Sequence, residues 1–172
     1  MTIPTPSSAP PGPHAPPSTD RSDRTDRRSA GRGAGTVAAG LSIGVAAFES
    51  ALALGAPWGE AAWGGQVAEL GVGLRVASGV AAVVWLGVAA VALRQGGRET
   101  WAPVPDRWLR RATLGLAGYT ALGTALNLAS RSELERAIWS PTTLAMAVSL
   151  GLAATWGRRP GRPSPRPVSR PS

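Results

Sequence analysis

The chain has 172 residues, a formal net charge of +8 and no cysteine, and its eighteen basic residues are all arginine. The lack of thiols excludes disulfides, thiolate nucleophiles, iron–sulfur ligation and thiolate zinc sites. A single histidine, His14, leaves no pair of imidazoles for haem, and the carboxylates are too scattered for a metal cage, so no metal, cofactor or catalytic constellation is expected.

Residues 1 to 35 are rich in proline, then in mixed charge from Asp20 to Arg32, without apolar periodicity, which predicts a disordered tail. Four apolar stretches follow, at about 36–56, 70–93, 111–130 and 137–156. Segments of about twenty residues, rising about 1.5 Å per residue, match the roughly 30 Å hydrocarbon core of a bilayer. The first begins only after a long polar leader and exceeds the core of a signal peptide, so it reads as an uncleaved helix. The expected fold is all-α, a four-transmembrane-helix bundle over residues 36–156 flanked by disordered tails at 1–35 and 157–172.

In the first span, Gly40, Gly44, Ala47 and Ala51 form a small-residue stripe that predicts close packing within the bundle. Glu49 lies about 10 Å below the outer end of that span. A charge at such a depth costs about 2.5–3.5 kcal/mol on insertion scales, so it should face the interior and find a partner. Pro57 then ends the helix, Gly55, Gly59, Gly64 and Gly65 permit turns, and Trp58 and Trp63 anchor the loop at the interface. Glu60 and Glu69 on this side, with Glu133 and Glu135, read as solvated carboxylates because no nucleophile or metal ligand accompanies them.

Arg75, about 8 Å below the outer end of the second span, matches Glu49 in depth and predicts a pair. The third span carries a stripe of Thr113, Thr120, Thr124 and Asn127 on one face, and Gly115, Gly118 and Gly123 should allow close helix approach. Thr124 and Asn127 reach the level of Glu49 and Arg75, so these four define a candidate intramembrane polar cluster. In the connection that follows, Ser132 and Glu135 form a capping-box pattern beside Arg136, and Ser140-Pro141 looks like a second start, or a kink, in the last helix.

Fifteen arginines fall in the two tails and the middle connection, against Arg75, Arg131 and Arg136 on the other side. The positive-inside rule then places both termini in the cytoplasm and the chain in the cytoplasmic membrane. Six tryptophans at span ends agree with these boundaries, with Trp85 alone inside a span. The expected partners are the bilayer, anionic lipid headgroups at the cytoplasmic arginines, and a membrane-protein partner or a second copy; nucleic acid is not expected.

The strings Leu54-Gly55-Ala56-Pro57-Trp58-Gly59, Ala62-Trp63-Gly64-Gly65, Leu74-Arg75 with Ser78, and Asn127, Ser130, Ser132, Glu135-Arg136 and Trp139-Ser140-Pro141 carry a resemblance. They resemble a family of small four-span membrane proteins of actinobacteria and other bacteria that has no established activity. The resemblance covers the membrane region and neither tail, and a Leu-Pro pair found before the Leu-Arg element in that family is replaced here by Leu70-Gly71. It implies that the outer loops and Arg75 belong to one recurring unit.

Three readings of the polar cluster stand open: a structural Glu49–Arg75 pair braced by Asn127, a proton- or cation-responsive site, and an outward pocket for a headgroup or small ligand. The leading expectation is a non-enzymatic accessory or structural membrane protein. The alternative is a small proton- or cation-coupled transporter using Glu49.

Overall fold

The computed structural model describes residues 18–63 and 68–157. The expected tails at 1–17 and 158–172, and Gly64 and Gly65 of the first loop, lie outside the described residues. The helices are α1 (Ser18–Ala53), α2 (Val72–Gln95), α3 (Asp106–Leu128) and α4 (Glu133–Trp156), with a short 3-10 turn at Gly59–Ala61. Three of them are long and apolar enough to cross a membrane: α1 over Ser22–Ala53, α2 and α4. The third is not, because its first turns carry Asp106, Arg107, Arg110 and Arg111 and threonine and glycine dilute the rest.

α1 begins well before Thr36, so the segment from Ser18 to Gly35, expected to be disordered, is helical. Two features absent from a hydropathy count explain it. Arg27 and Asp23 pair one turn apart at 3.1 Å, a spacing that supports an exposed helix. Farther along, the helix gains tertiary contacts through glycine: a Cβ on Gly31 would sit 2.5 Å from the Trp156 backbone, and one on Gly35 would sit 2.6 Å from the Ala92 carbonyl oxygen.

Each helix runs antiparallel to its neighbours in a ring ordered α1, α2, α3, α4. The start of α1 meets the ends of α2 and α4 at Gly31 and Gly35, and its end meets the start of α2 where Gly79 faces Ala53. Arg94 at the end of α2 pairs with Asp106 at the start of α3 at 3.0 Å. Arg110 Nε donates to the Ala154 carbonyl at 3.2 Å, which ties the start of α3 to the end of α4. Of the neighbours in the ring, α2 and α3 touch least, leaving a seam between them.

The interior is built from small and polar side chains. Ala38, Ala39, Ala89, Ala92 and Leu150 form one cluster, and Ser42, Ser78, Thr113 and Thr120 are buried to within 1 % of complete. Leu52, Met146 and Leu150 are also fully buried, while many large apolar side chains point outward, including Val80, Val83, Tyr119, Leu122 and Leu126.

Close packing uses other glycines than the expected ones. Nothing lies within 4 Å of a Cβ built on Gly40, Gly44, Gly115 or Gly118, so these positions face outward. Gly123 does meet α4, 3.8 Å from Thr143 Cγ2. Helical periodicity groups residues on a face but does not say which face meets a neighbour.

The last helix starts at the first of its two candidate caps. Ser132 Oγ accepts from the Glu135 backbone N–H at 3.2 Å, whereas Ser140 and Pro141 lie inside α4. The reciprocal half of the box runs through Ser130, whose hydroxyl donates to Glu135 Oε2 at 2.7 Å and accepts from the Ser132 N–H at 3.2 Å.

Gly157 is packed most tightly, since a Cβ there would lie 2.2 Å from the Gln95 carbonyl oxygen. Because backbone stands on both sides, Gly157→Ala should destabilise the detergent-solubilised protein by about 1–3 kcal/mol. Gly40→Ala should be neutral or stabilise it by up to about 1 kcal/mol. Thermal unfolding of both variants checks the contrast, and equal effects would contradict this packing.

Candidate functional site

The most costly polar group in the apolar part of α1 is Glu49, one turn before the helix ends at Ala53. Its carboxylate is hydrogen-bonded by the Ser78 side chain of α2. Ser78 Oγ in turn accepts from the Trp63 indole N–H at 3.1 Å. Glu49 Oε2 is buried and has no hydrogen-bond partner. Trp63 holds φ at +53°, a left-handed conformation that non-glycine residues seldom adopt.

Arg75 takes a different position from the expected one. Among the described residues it makes no ion pair with Glu49; its Nε donates to the Ala53 carbonyl oxygen at 3.0 Å. The guanidinium lies over Gly55, where φ is +99° and a Cβ would be 3.2 Å from Nη2. A cation at the last carbonyls of a helix meets unsatisfied acceptors and the negative end of the helix dipole. That competing acceptor draws Arg75 to the end of α1.

The rest of the expected cluster lies on the other helix pair. Thr124 Oγ1 donates to the Thr120 carbonyl at 3.0 Å and is 2.9 Å from Thr143 Oγ1 on α4. Asn127, half-buried near the end of α3, has no side-chain bond to Glu49 or Arg75 among the described residues. Glu49 and Arg75 therefore belong to the α1–α2 contact, and Thr124 to the α3–α4 contact.

The first loop fastens the same end of the bundle. Trp58 stacks on Phe48 at 6.1 Å between centroids, and Phe48 meets Trp139 edge-on at 4.9 Å. The Trp139 indole donates to the Ala61 carbonyl, and Ser132 Oγ donates to the Glu60 carbonyl at 3.4 Å. The Glu60 side chain itself is exposed.

Glu135 is buried within the α4 cap. Arg136 closes the same corner by donating to the Ser130 carbonyl at 2.6 Å, and lies 3.8 Å from the exposed Glu133 carboxylate. Glu135 and Arg136 thus hold a corner. Among the described residues no group of three or more His, Cys, Asp and Glu is placed to hold a metal ion.

Ser78, Ser130, Phe48 and Gln95 were not among the expected site residues. Ser78 and Ser130 stand within the strings that carry the family resemblance, but a lone serine in an apolar span gives no further signal. Gln95, 1 % exposed, donates to the Ala153 carbonyl at 3.3 Å and could have been noticed as an amide at the end of an apolar span. No protein-family model, curated protein or solved structure matches the chain.

The geometry predicts which pairs are coupled. Glu49→Gln and Ser78→Ala should show an interaction energy of about 0.5–3 kcal/mol in a double-mutant cycle, as expected for hydrogen-bonded neighbours. Glu49→Gln and Arg75→Gln should be closer to additive. Unfolding of the three single and two double variants in detergent checks this, and a larger Glu49–Arg75 term would restore the ion pair.

Proposed function

We propose that the chain is a multi-pass protein of the cytoplasmic membrane, with four spans and both termini in the cytoplasm, acting as a non-enzymatic accessory or structural component. The observation that carries this reading is the broad apolar surface: Val80, Val83, Leu122 and Leu126 are outside, while Ser42, Ser78, Thr113 and Thr120 are inside beside Leu52, Met146 and Leu150. In water such a surface would be a large exposed apolar patch; in lipid it is the solvated one. Three helices cross by length and apolarity alone, and α3 crosses as the partner that closes the ring.

The arginine-rich ends of the helices form the cytoplasmic side, in keeping with the positive-inside rule. The loop that carries Trp58 and Trp63 and the corner that carries Glu135 and Arg136 form the outer side. Their cross-links support an architectural role, since the side chains that join the loop to α2 and α4 are engaged with one another. The cysteine-free chain makes the test direct. Cysteine at Glu60 should react with an impermeant maleimide in intact cells, and cysteine at Arg98 only after lysis. Labelling of Arg98→Cys in intact cells would overturn the topology.

A second reading, a proton- or cation-coupled transporter, is favoured by one feature, the buried Glu49 Oε2 that no donor faces. Proteoliposomes containing an internal pH dye separate the two. The accessory reading predicts equal proton leak for the native chain and Glu49→Gln, and a flux lost only in Glu49→Gln would establish the second.

A further inference from the structure

The seam between α2 and α3 opens into an apolar cleft of about 890 Å³. Val84 and Gly87 of α2 and Gly115 and Leu116 of α3 line its walls, and Trp101 and Pro103 of the connecting loop line its arginine-rich end. Its volume lies within the range of ligand pockets, about 300–1,000 Å³. Unlike a cavity in the core, it opens on the face that the proposed membrane reading gives to lipid.

Charge at the mouth of the cleft identifies the occupant. Of the five arginines at the facing ends of the two helices and in the loop that joins them, Arg94 is neutralised by Asp106 at 3.0 Å. Arg98 donates to Thr36 Oγ1 at 3.3 Å, and Arg110 to the Ala154 carbonyl at 3.2 Å. Arg111 instead lies 5.0 Å over the exposed Trp108 ring, and among the described residues neither it nor Arg107 has an acidic partner. Arg111 stands one turn before Gly115, at the edge of the α3 face that lines the cleft, whereas Arg107, a further turn back, is rotated away from Ala112 and Leu116.

We propose that the α2–α3 cleft seats an acyl chain of one anionic phospholipid, whose phosphate is held by Arg111 beside Trp108. An apolar cleft bordered by a guanidinium without an acidic partner offers each half of such a lipid its own medium. Basic pockets between membrane helices on the cytoplasmic side bind anionic headgroups on this principle. Glycine at position 115 keeps the channel open, since nothing lies within 4 Å of a Cβ built there.

The proposal rests on the membrane reading, and native mass spectrometry of the full chain released from detergent micelles tests it separately. With dioleoylphosphatidylglycerol and dioleoylphosphatidylcholine added in turn, the native chain should retain one phosphatidylglycerol in preference to phosphatidylcholine. Arg111→Gln, at an exposed position, should weaken that adduct about fivefold, the worth of one arginine near an anionic headgroup. Gly115→Leu should abolish the preference by filling the cleft, while its thermal unfolding stays at or above that of the native chain.

Equal retention of the two lipids, or an unchanged preference in both variants, would overturn the proposal in favour of diffuse attraction to arginine. A dimer lost in Gly115→Leu would overturn it in favour of a second copy as the occupant. Recovery of the intact chain without detergent would instead strike at the membrane reading itself.

Discussion

In the proposed membrane setting hydrocarbon offers no hydrogen bonds, and the internal arrangement of this bundle fits that constraint. A buried hydroxyl in such a medium needs an acceptor within the protein, and several here find it one turn back on their own helix, although among the described residues the buried Ser140 Oγ has none. Ser42 donates to the Ala38 carbonyl at 2.8 Å, Thr113 to Leu109 at 2.8 Å and Thr120 to Leu116 at 2.9 Å. Leaving such a group unmade would cost about 1–3 kcal/mol. Satisfied locally, small polar residues can line the interior while leucine and valine face outward. The buried threonine stripe on α3 is therefore packing surface.

The two ends of the ring are joined by different means. At the arginine-rich end Gly31, Gly35, Gly96 and Gly157 bring backbones of three helices together, so van der Waals contact does the work that hydrophobic burial does in water. At the tryptophan-rich end side chains make the joins: Trp63 reaches Ser78, Trp139 reaches Ala61 and Arg75 caps α1. Glu49 lies beside this second set of joins. The seam between α2 and α3 receives the least from either set, which is why the cleft lies there.

Helix positions were largely legible in sequence, because about twenty apolar residues bounded by arginine and tryptophan leave little freedom: the second span, read at 70–93, is Val72–Gln95. The Ser132 cap was legible too, since capping is a local pattern. Three features were not. The helical stretch from Ser18 depends on glycine contacts with α2 and α4, which are far away in sequence. The empty Gly40–Gly44 stripe and the packed Gly31–Gly35 pair have equivalent patterns, and only tertiary structure tells them apart. Depth matching brought Glu49 and Arg75 to one level but could not weigh a carboxylate against the carbonyls at the end of α1.

Whether α3 crosses the bilayer decides the account most directly, because its sequence alone does not require it to. Nitroxides placed singly at Leu114, Tyr119, Leu122 and Leu126, all outward-facing on α3, report depth through the ratio of collision rates with oxygen and with a water-soluble nickel complex. In bilayers a crossing helix gives a depth that rises to a maximum near Tyr119 and Leu122 and falls toward both ends. A single shallow depth at all four positions would place α3 along the interface and contradict the four-span ring.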